Sequence, residues 1–276
     1  MMCFRSTRRV RYLTFALVLT GLSGLGTRAH PEIEDALTRL NAAIAAAPGE
    51  AALYLDRGEL YARHEDWVAA EANYLRAVEL APNLPRLAAL RGALALATGH
   101  AAEAKTYLDL ALSRAPEDLE ALILRARTHA TLGARDAARR DYDDALTRAS
   151  APAPDLFLER AALLPAEEAI RSLDEGIARL GSVVTLRLRA LALEESLGLI
   201  DAGAARLDQL AAQSERRESW LKRRGDLFAR AGRVTEARTA YSAALAAIES
   251  LPDWLRAAPD TVKLTTELTR LATPRS

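Results

Sequence analysis

Apolar positions along this chain fall at helical spacing, in blocks that return every thirty-four residues. Tyr74 to Pro82 reads "YLRAVELAP". Leu40 to Pro48 reads "LNAAIAAAP", Leu108 to Pro116 "LDLALSRAP", Tyr142 to Ser150 "YDDALTRAS" and Tyr241 to Glu249 "YSAALAAIE". Each block has a large residue, alanine three places on, an aliphatic beside it and often a closing proline. With Ala51 to Leu84 as one unit, Pro85 to Asp118 and Leu119 to Pro152 follow in register. Gly58, Gly92 and Ala126 then share the eighth place, Ala70, Ala104 and Ala138 the twentieth, and Ala77, Ala111 and Ala145 the twenty-seventh. Glu218 to Leu251 repeats the scheme with Gly225, Ala237, Tyr241 and Ala244. In the first half of a unit Leu53, Leu60 and Tyr61 fit a helix and not an alternating strand. A glycine recurs at the fifteenth place (Gly99, Gly133, Gly198, Gly232), where a left-handed residue can satisfy the last carbonyls of a helix. A second helix follows, and Pro82 or Pro116 ends it because proline cannot continue the backbone ladder. The pattern predicts two helices per unit, brought close by the recurring small residues.

The regularity is broken in four places. Residues 153–183 make a unit three residues short, interrupted by "ASAPAP" and Pro165, which predicts a shortened helix pair that bends the array. Val184 to Arg217 keeps Gly198, Gly203 and Leu207 but puts Leu191 at the small eighth place. Residues 30–50 match only a second helix. Residues 252–276 place Leu264, Leu268 and Leu271 on one face, with Asp260 as the expected cap. A stacked array needs such an atypical terminal unit with a polar outer face.

This spacing resembles the tetratricopeptide repeat, a family of 34-residue helix–turn–helix units. The resemblance covers residues 51–152 as three repeats and 184–251 as two. It implies an all-α, right-handed superhelical solenoid with a concave groove lined by the first helix of each unit. Carried onto this chain, the groove positions are Leu55, Glu59 and Arg63, then Ala89, Ala93 and Leu96, then Ile123, Arg127 and Thr131. The later units add Leu188, Lys222 and Asp226. The first three units would thus offer an apolar strip flanked by a few charges. The asparagines with which some members clamp a terminal carboxylate are absent from these positions, so an extended or helical segment with apolar anchors is the expected ligand. Arg57, Arg91, Arg125 and Arg224 hold the seventh place; their stems are expected to pack on apolar surface while their heads reach water.

Composition narrows the function. Lys+Arg and Asp+Glu both total 37 in 276 residues, so the formal net charge is zero and nothing recommends a nucleic-acid partner. At the start, Arg5, Arg8, Arg9 and Arg11 precede the uncharged "YLTFALVLTGLSGLG", and Thr27 and Ala29 are the small residues before His30. That order reads as a secretory signal peptide over residues 1–29, too short in its apolar run to be a spanning helix. Export across the inner membrane, to the periplasm or envelope, is the expected fate. Cys3 would leave with the signal, and the rest of the chain has no cysteine and no membrane span. His30, His64, His100 and His129 are scattered, with no pair three or four apart that would favour metal ligation. Acid pairs such as Asp143–Asp144 are adjacent, and adjacent helical positions do not face each other. No catalytic residue, cofactor or metal site is expected. The expected role is a scaffold that binds a protein or peptide. A homo-oligomer built through the terminal helices is the alternative.

The register makes a first prediction. Ala104→Leu should lower stability by ~1–3 kcal/mol through overpacking, while His100→Ala at a turn should change it little. Thermal melts giving the reverse order would refute the register.

Overall fold

The structure is a computed structural model that describes residues 31–273; the segment read as a signal peptide, Cys3 included, lies outside the described residues. Those residues form fifteen α-helices and no strand. They are α1 (Pro31–Ala46), α2 (Ala51–Arg63), α3 (Trp67–Leu80), α4 (Pro85–Ala97), α5 (Ala101–Arg114), α6 (Leu119–Thr131) and α7 (Arg135–Arg148). Next come α8 (Pro154–Ala161), α9 (Ala166–Leu180), α10 (Val184–Ser196) and α11 (Ile200–Ala212). The chain closes with α12 (Glu218–Arg230), α13 (Val234–Glu249), α14 (Asp253–Arg256) and α15 (Pro259–Ala272). From α2 to α13 the helices pack as consecutive pairs, each against the next. First helices of neighbouring pairs also meet, α2 with α4, α4 with α6 and α8 with α10. The result is an α-solenoid.

The turns inside the pairs share one geometry. After α4 the Gly99 N–H donates to the Leu96 carbonyl at 3.1 Å and the His100 N–H to the Ala95 carbonyl at 2.7 Å, which satisfies carbonyls the helix would leave orphaned. The same two bonds recur at Gly133, Gly198 and Gly232. The four glycines hold φ of 83°, 75°, 69° and 75°. In α2–α3 the fifteenth residue is Glu65, which makes the same turn at φ 60°. A side chain in that region costs roughly 1–2 kcal/mol.

Within a pair a small residue lies under a large one. A Cβ added to Gly58 would come within 2.6 Å of the Tyr74 ring, and one on Gly92 within 2.6 Å of Leu108. Gly225 is closer still to Tyr241. Ala126 plays this part beneath Tyr142, both buried in one cluster. The two middle pairs reverse the roles. Phe157, the eighth residue when its unit is counted back from Pro165, fills the place of the small residue, and Gly176 on α9 receives it at 2.7 Å. Leu191 does the same on α10, with Gly203 on α11 as its small counterpart at 3.3 Å. The large eighth residue of the α10–α11 unit is therefore matched by glycine on the facing helix.

The seventh-place arginines depart from expectation, for their heads are engaged between second helices. Arg57 donates to Asn73 at 2.8 Å and to Asn41 of the preceding unit at 2.7 Å. Arg125 grips Asp141 through two bonds, 2.9 and 2.8 Å, and reaches back to Asp109 at 3.1 Å. Arg224 reaches back to Asp208. In the reversed pairs Arg160 reaches Asp143 at 3.1 Å and Arg206 reaches Asp174 at 2.8 Å. Asn41, Asp109, Asp143, Asp174 and Asp208 all stand at the twenty-fifth place of their units. The seam between α3 and α5 lacks this bond because its twenty-fifth residue is Leu75. There Arg91 lies 3.6 Å from Glu71 and stacks 4.3 Å from the Tyr107 ring centroid.

At the C-terminal end Leu268 is fully buried, with Leu264 and Leu271 packed beside it against α13. Asp260 is not the cap expected from the sequence. Proline at 259 opens the helix two residues earlier than that cap would, so Asp260 falls inside the first turn and Ala258 precedes the helix without a side-chain bond.

Glu65 and Gly99 are both exposed, and a Cβ on Gly99 would meet nothing within 4 Å. The backbone alone separates them. Glu65→Gly should raise stability by up to ~1 kcal/mol and Gly99→Glu should lower it by about 1–2 kcal/mol, read as opposite shifts of the urea midpoint.

Candidate functional site

The outward face of the first helices is where a partner was expected, and its residues divide into three groups. Leu55 does not face outward. It is 2% exposed and packs with Tyr54, Tyr74 and Leu87, because the fifth place of the first helix points into the seam with the next unit. Ala89, Leu96 and Ile123 are half-buried against the α4–α7 core, and Leu188 against the α10–α12 core. The apolar strip is therefore largely consumed by packing. What stays open is Ala93, half-buried, and the exposed Ala97 on α4, with Arg63 and Thr131 exposed at helix ends.

The remaining positions form ion pairs that step from one first helix to the next. Arg86 on α4 binds Glu59 on α2 and lies 3.4 Å from Asp56. Arg127 on α6 grips Glu159 on α8 through bonds of 2.9 and 3.0 Å. Glu195 on α10 takes Arg223 and Arg230 of α12, each at 3.3 Å. Lys222 lies between Asp226 at 3.0 Å and Glu267 of α15 at 3.1 Å. Each is worth little alone, ~0.2–1 kcal/mol at such exposure; their effect is to order charged heads at fixed places. No pair of this kind links α4 to α6 or α8 to α10 among the described residues, and the alanines of α4 lie in the first of these two gaps.

Tyrosines from the second helices reach beneath this face. The Tyr142 hydroxyl donates to Glu159 at 2.8 Å and the Tyr241 hydroxyl to Asp226 at 2.9 Å. Burial and then those carboxylates push both phenols up, Tyr241 to about 12. Tyr74, raised to about 12, is held there by burial and then by the charge of Glu59. The acids that pair with Arg127 and Lys222 are thus oriented from below.

His64 and His100 are exposed at turns. His129 is half-buried with Nε2 3.7 Å from Asp141, and burial lowers its pKa. The described residues contain no cluster of three or more metal-ligating side chains. Sequence reasoning missed the ladder of charges. Its only sequence signal between first helices is the recurrence of opposite charges 27 to 35 residues apart, from Glu59 with Arg86 to Glu195 with Arg230.

Comparison with known proteins places this arrangement. Residues 29–85 match the family described as tetratricopeptide repeat, and residues 157–258 the tetratricopeptide repeat-like domain. No curated protein matches the chain. Similar solved structures include PilW, a widely conserved type IV pilus biogenesis factor, at 19% identity and TM-score 0.58 over 66% of this chain and 86% of that one. A tetratricopeptide repeat protein from Parabacteroides merdae has 18% identity and TM-score 0.53 over 87% and 92%. PilF of Pseudomonas aeruginosa has 19% identity and TM-score 0.55 over 65% and 83%. At these identities the likeness is one of fold.

The buried phenols set a pH dependence. Their folded pKa values are raised, so above pH ~10, the ordinary tyrosine value, the unfolded chain loses protons that the folded chain keeps. The phenols' contribution to stability should be level up to that point and fall between pH 10 and 12. Tyr142→Phe should make the fall shallower in alkaline denaturation, and an unchanged slope would contradict the burial of that hydroxyl.

Proposed function

The chain belongs to the tetratricopeptide repeat family, and from that premise we propose that it is an exported scaffold binding a segment of another protein across the face of its first helices. The observation that carries the reading is the interrupted ladder. Charged heads are ordered on either side, by Arg86–Glu59 and Arg127–Glu159, and between them Ala93 and Ala97 leave the α4 backbone approachable. An extended or helical segment can lie close to α4 in that gap. Its own charges can exchange with Glu59 and Arg127. Because the surface is preformed, the partner loses little affinity to ordering the scaffold.

Export rests on the basic and then apolar order of residues 1–29, and an envelope setting accords with the fold shared with type IV pilus factors. No helix of the described residues is long and apolar enough to cross a membrane. Protein–protein interaction is the activity, with no chemistry assigned to the chain.

The test is a pull-down from envelope extract with the parent and with Ala97→Glu/Arg127→Glu, both shown to fold by circular dichroism. A partner bound by the parent should be lost at least about tenfold in the variant, since the change closes the gap and reverses one flanking charge. A partner held equally by both would place binding elsewhere.

A further inference from the structure

The seams between second helices are closed by one kind of bond with one exception. Arginine meets Asn41, Asp109, Asp143, Asp174 or Asp208 at five seams, and the clefts beside the α5–α7 and α7–α9 seams are lined by Asp109 with Arg125 and by Asp143 with Arg160. At α3–α5, where Leu75 replaces the acceptor, there is instead a largely apolar cleft of about 490 Å³ walled by Trp67, Val68, Leu75 and Tyr107. Val68 is 83% exposed and Leu75 47%. Two neighbouring large aliphatic side chains left this open on an otherwise ion-paired side mark an interaction surface.

The opposite end of the array carries a matching knob. Trp254 on α14 is 72% exposed, on a terminal unit that would need a polar outer face if it only capped the stack. The charges complement. At the rim of the cleft Glu103 has no cationic partner among the described residues, and Glu71 has only the 3.6 Å approach of Arg91. On α15, which packs on α14, Lys263, Arg270 and Asp260 have no ion-pair partner among the described residues, two cations against one acid. We propose that the α3–α5 cleft receives Trp254 from a second copy of this chain. The indole fills the apolar walls, its N–H is within the reach of rim carboxylates as acceptors, and the α15 cations face Glu71 and Glu103.

Such a contact is heterologous. The copy that supplies its Trp254 keeps an open cleft, and the copy that supplies the cleft keeps a free Trp254, so addition continues head to tail. The cleft opens between α3 and α5, with Arg91, Leu94 and Ala95 of α4 at its floor, while Glu59, Arg127 and Glu159 of the proposed partner face lie on α2, α6 and α8. Variants of Val68, Leu75 and Trp254 therefore read self-association, and Arg127→Glu reads partner capture.

Sedimentation equilibrium over rising protein concentration tests this with variants of exposed residues, each checked for folding by circular dichroism. For the parent, average mass should rise past that of a dimer. Trp254→Ser and Val68→Asp/Leu75→Asp should each weaken association at least about tenfold. The decisive arm is an equimolar mixture of the two variants, in which one intact knob meets one intact cleft. It should give a one-to-one dimer and nothing larger. A parent mass independent of concentration, a variant that assembles like the parent, or a mixture that stays monomeric would each overturn the proposal. Arg127→Glu should leave assembly unchanged.

Discussion

How closely two helices of a pair can approach governs the rest of this structure. Gly58, Gly92, Ala126 and Gly225 remove side-chain volume at the point where Tyr74, Leu108, Tyr142 and Tyr241 cross. The approach is more than a packing detail, because it lets a ring pass through to the other side. With Gly225 beneath its ring, the Tyr241 hydroxyl reaches Asp226, and with Ala126 beneath it the Tyr142 hydroxyl reaches Glu159. The charges displayed on the outer face are thus positioned by a small residue in the core. The arginine bridges depend on the same spacing, since one guanidinium can touch residues sixteen places before and after it only if successive second helices stay near. At Phe157 and Leu191 the eighth residue is large while Leu173 and Leu207 still fill the crossing place, and glycine elsewhere on the second helix, Gly176 or Gly203, supplies the room.

Much of this was legible in the sequence. Counting in thirty-fours placed the helix pairs, the turn glycines and the small crossing residues, because each of these is a local requirement repeated at a fixed interval. Glu65 marks the limit of that reasoning, since it makes the turn without the residue the turn prefers. Less of the candidate face could be read. Leu55 carries the family's groove position but is buried, and Asp260 carries a capping side chain but sits two positions past the cap. A period tells which residues are equivalent, not which neighbours they meet in the adjoining unit. Glu59 with Arg86 and Arg127 with Glu159 are separated by roughly a whole unit, and no local pattern links them. The arginine heads were misjudged for the same reason. Their stems do lie on the seam, yet each bridging head is shared between an acceptor of its own unit, Asn73 or Asp141, and one of the unit before, Asn41 or Asp109.

The two sides of the solenoid consequently differ in kind. On the first helices, ordered charges flank a short gap of alanine. On the second helices, arginine bridges close the seams, and the single substitution of Leu75 for an acceptor opens one of them. Both features arise from small departures within a repeated frame. Function in such an array lies in the exceptions to its period, and the rest of the period keeps those exceptions in place.

Small and large residues at the crossing act as one unit. A double-mutant cycle on Gly225→Ala and Tyr241→Leu, read by urea denaturation, tests it most directly. Gly225→Ala alone should cost ~1–3 kcal/mol because the added methyl meets the ring, and the smaller partner should relieve it, giving a coupling of at least about 1 kcal/mol. Two effects that simply add would contradict it.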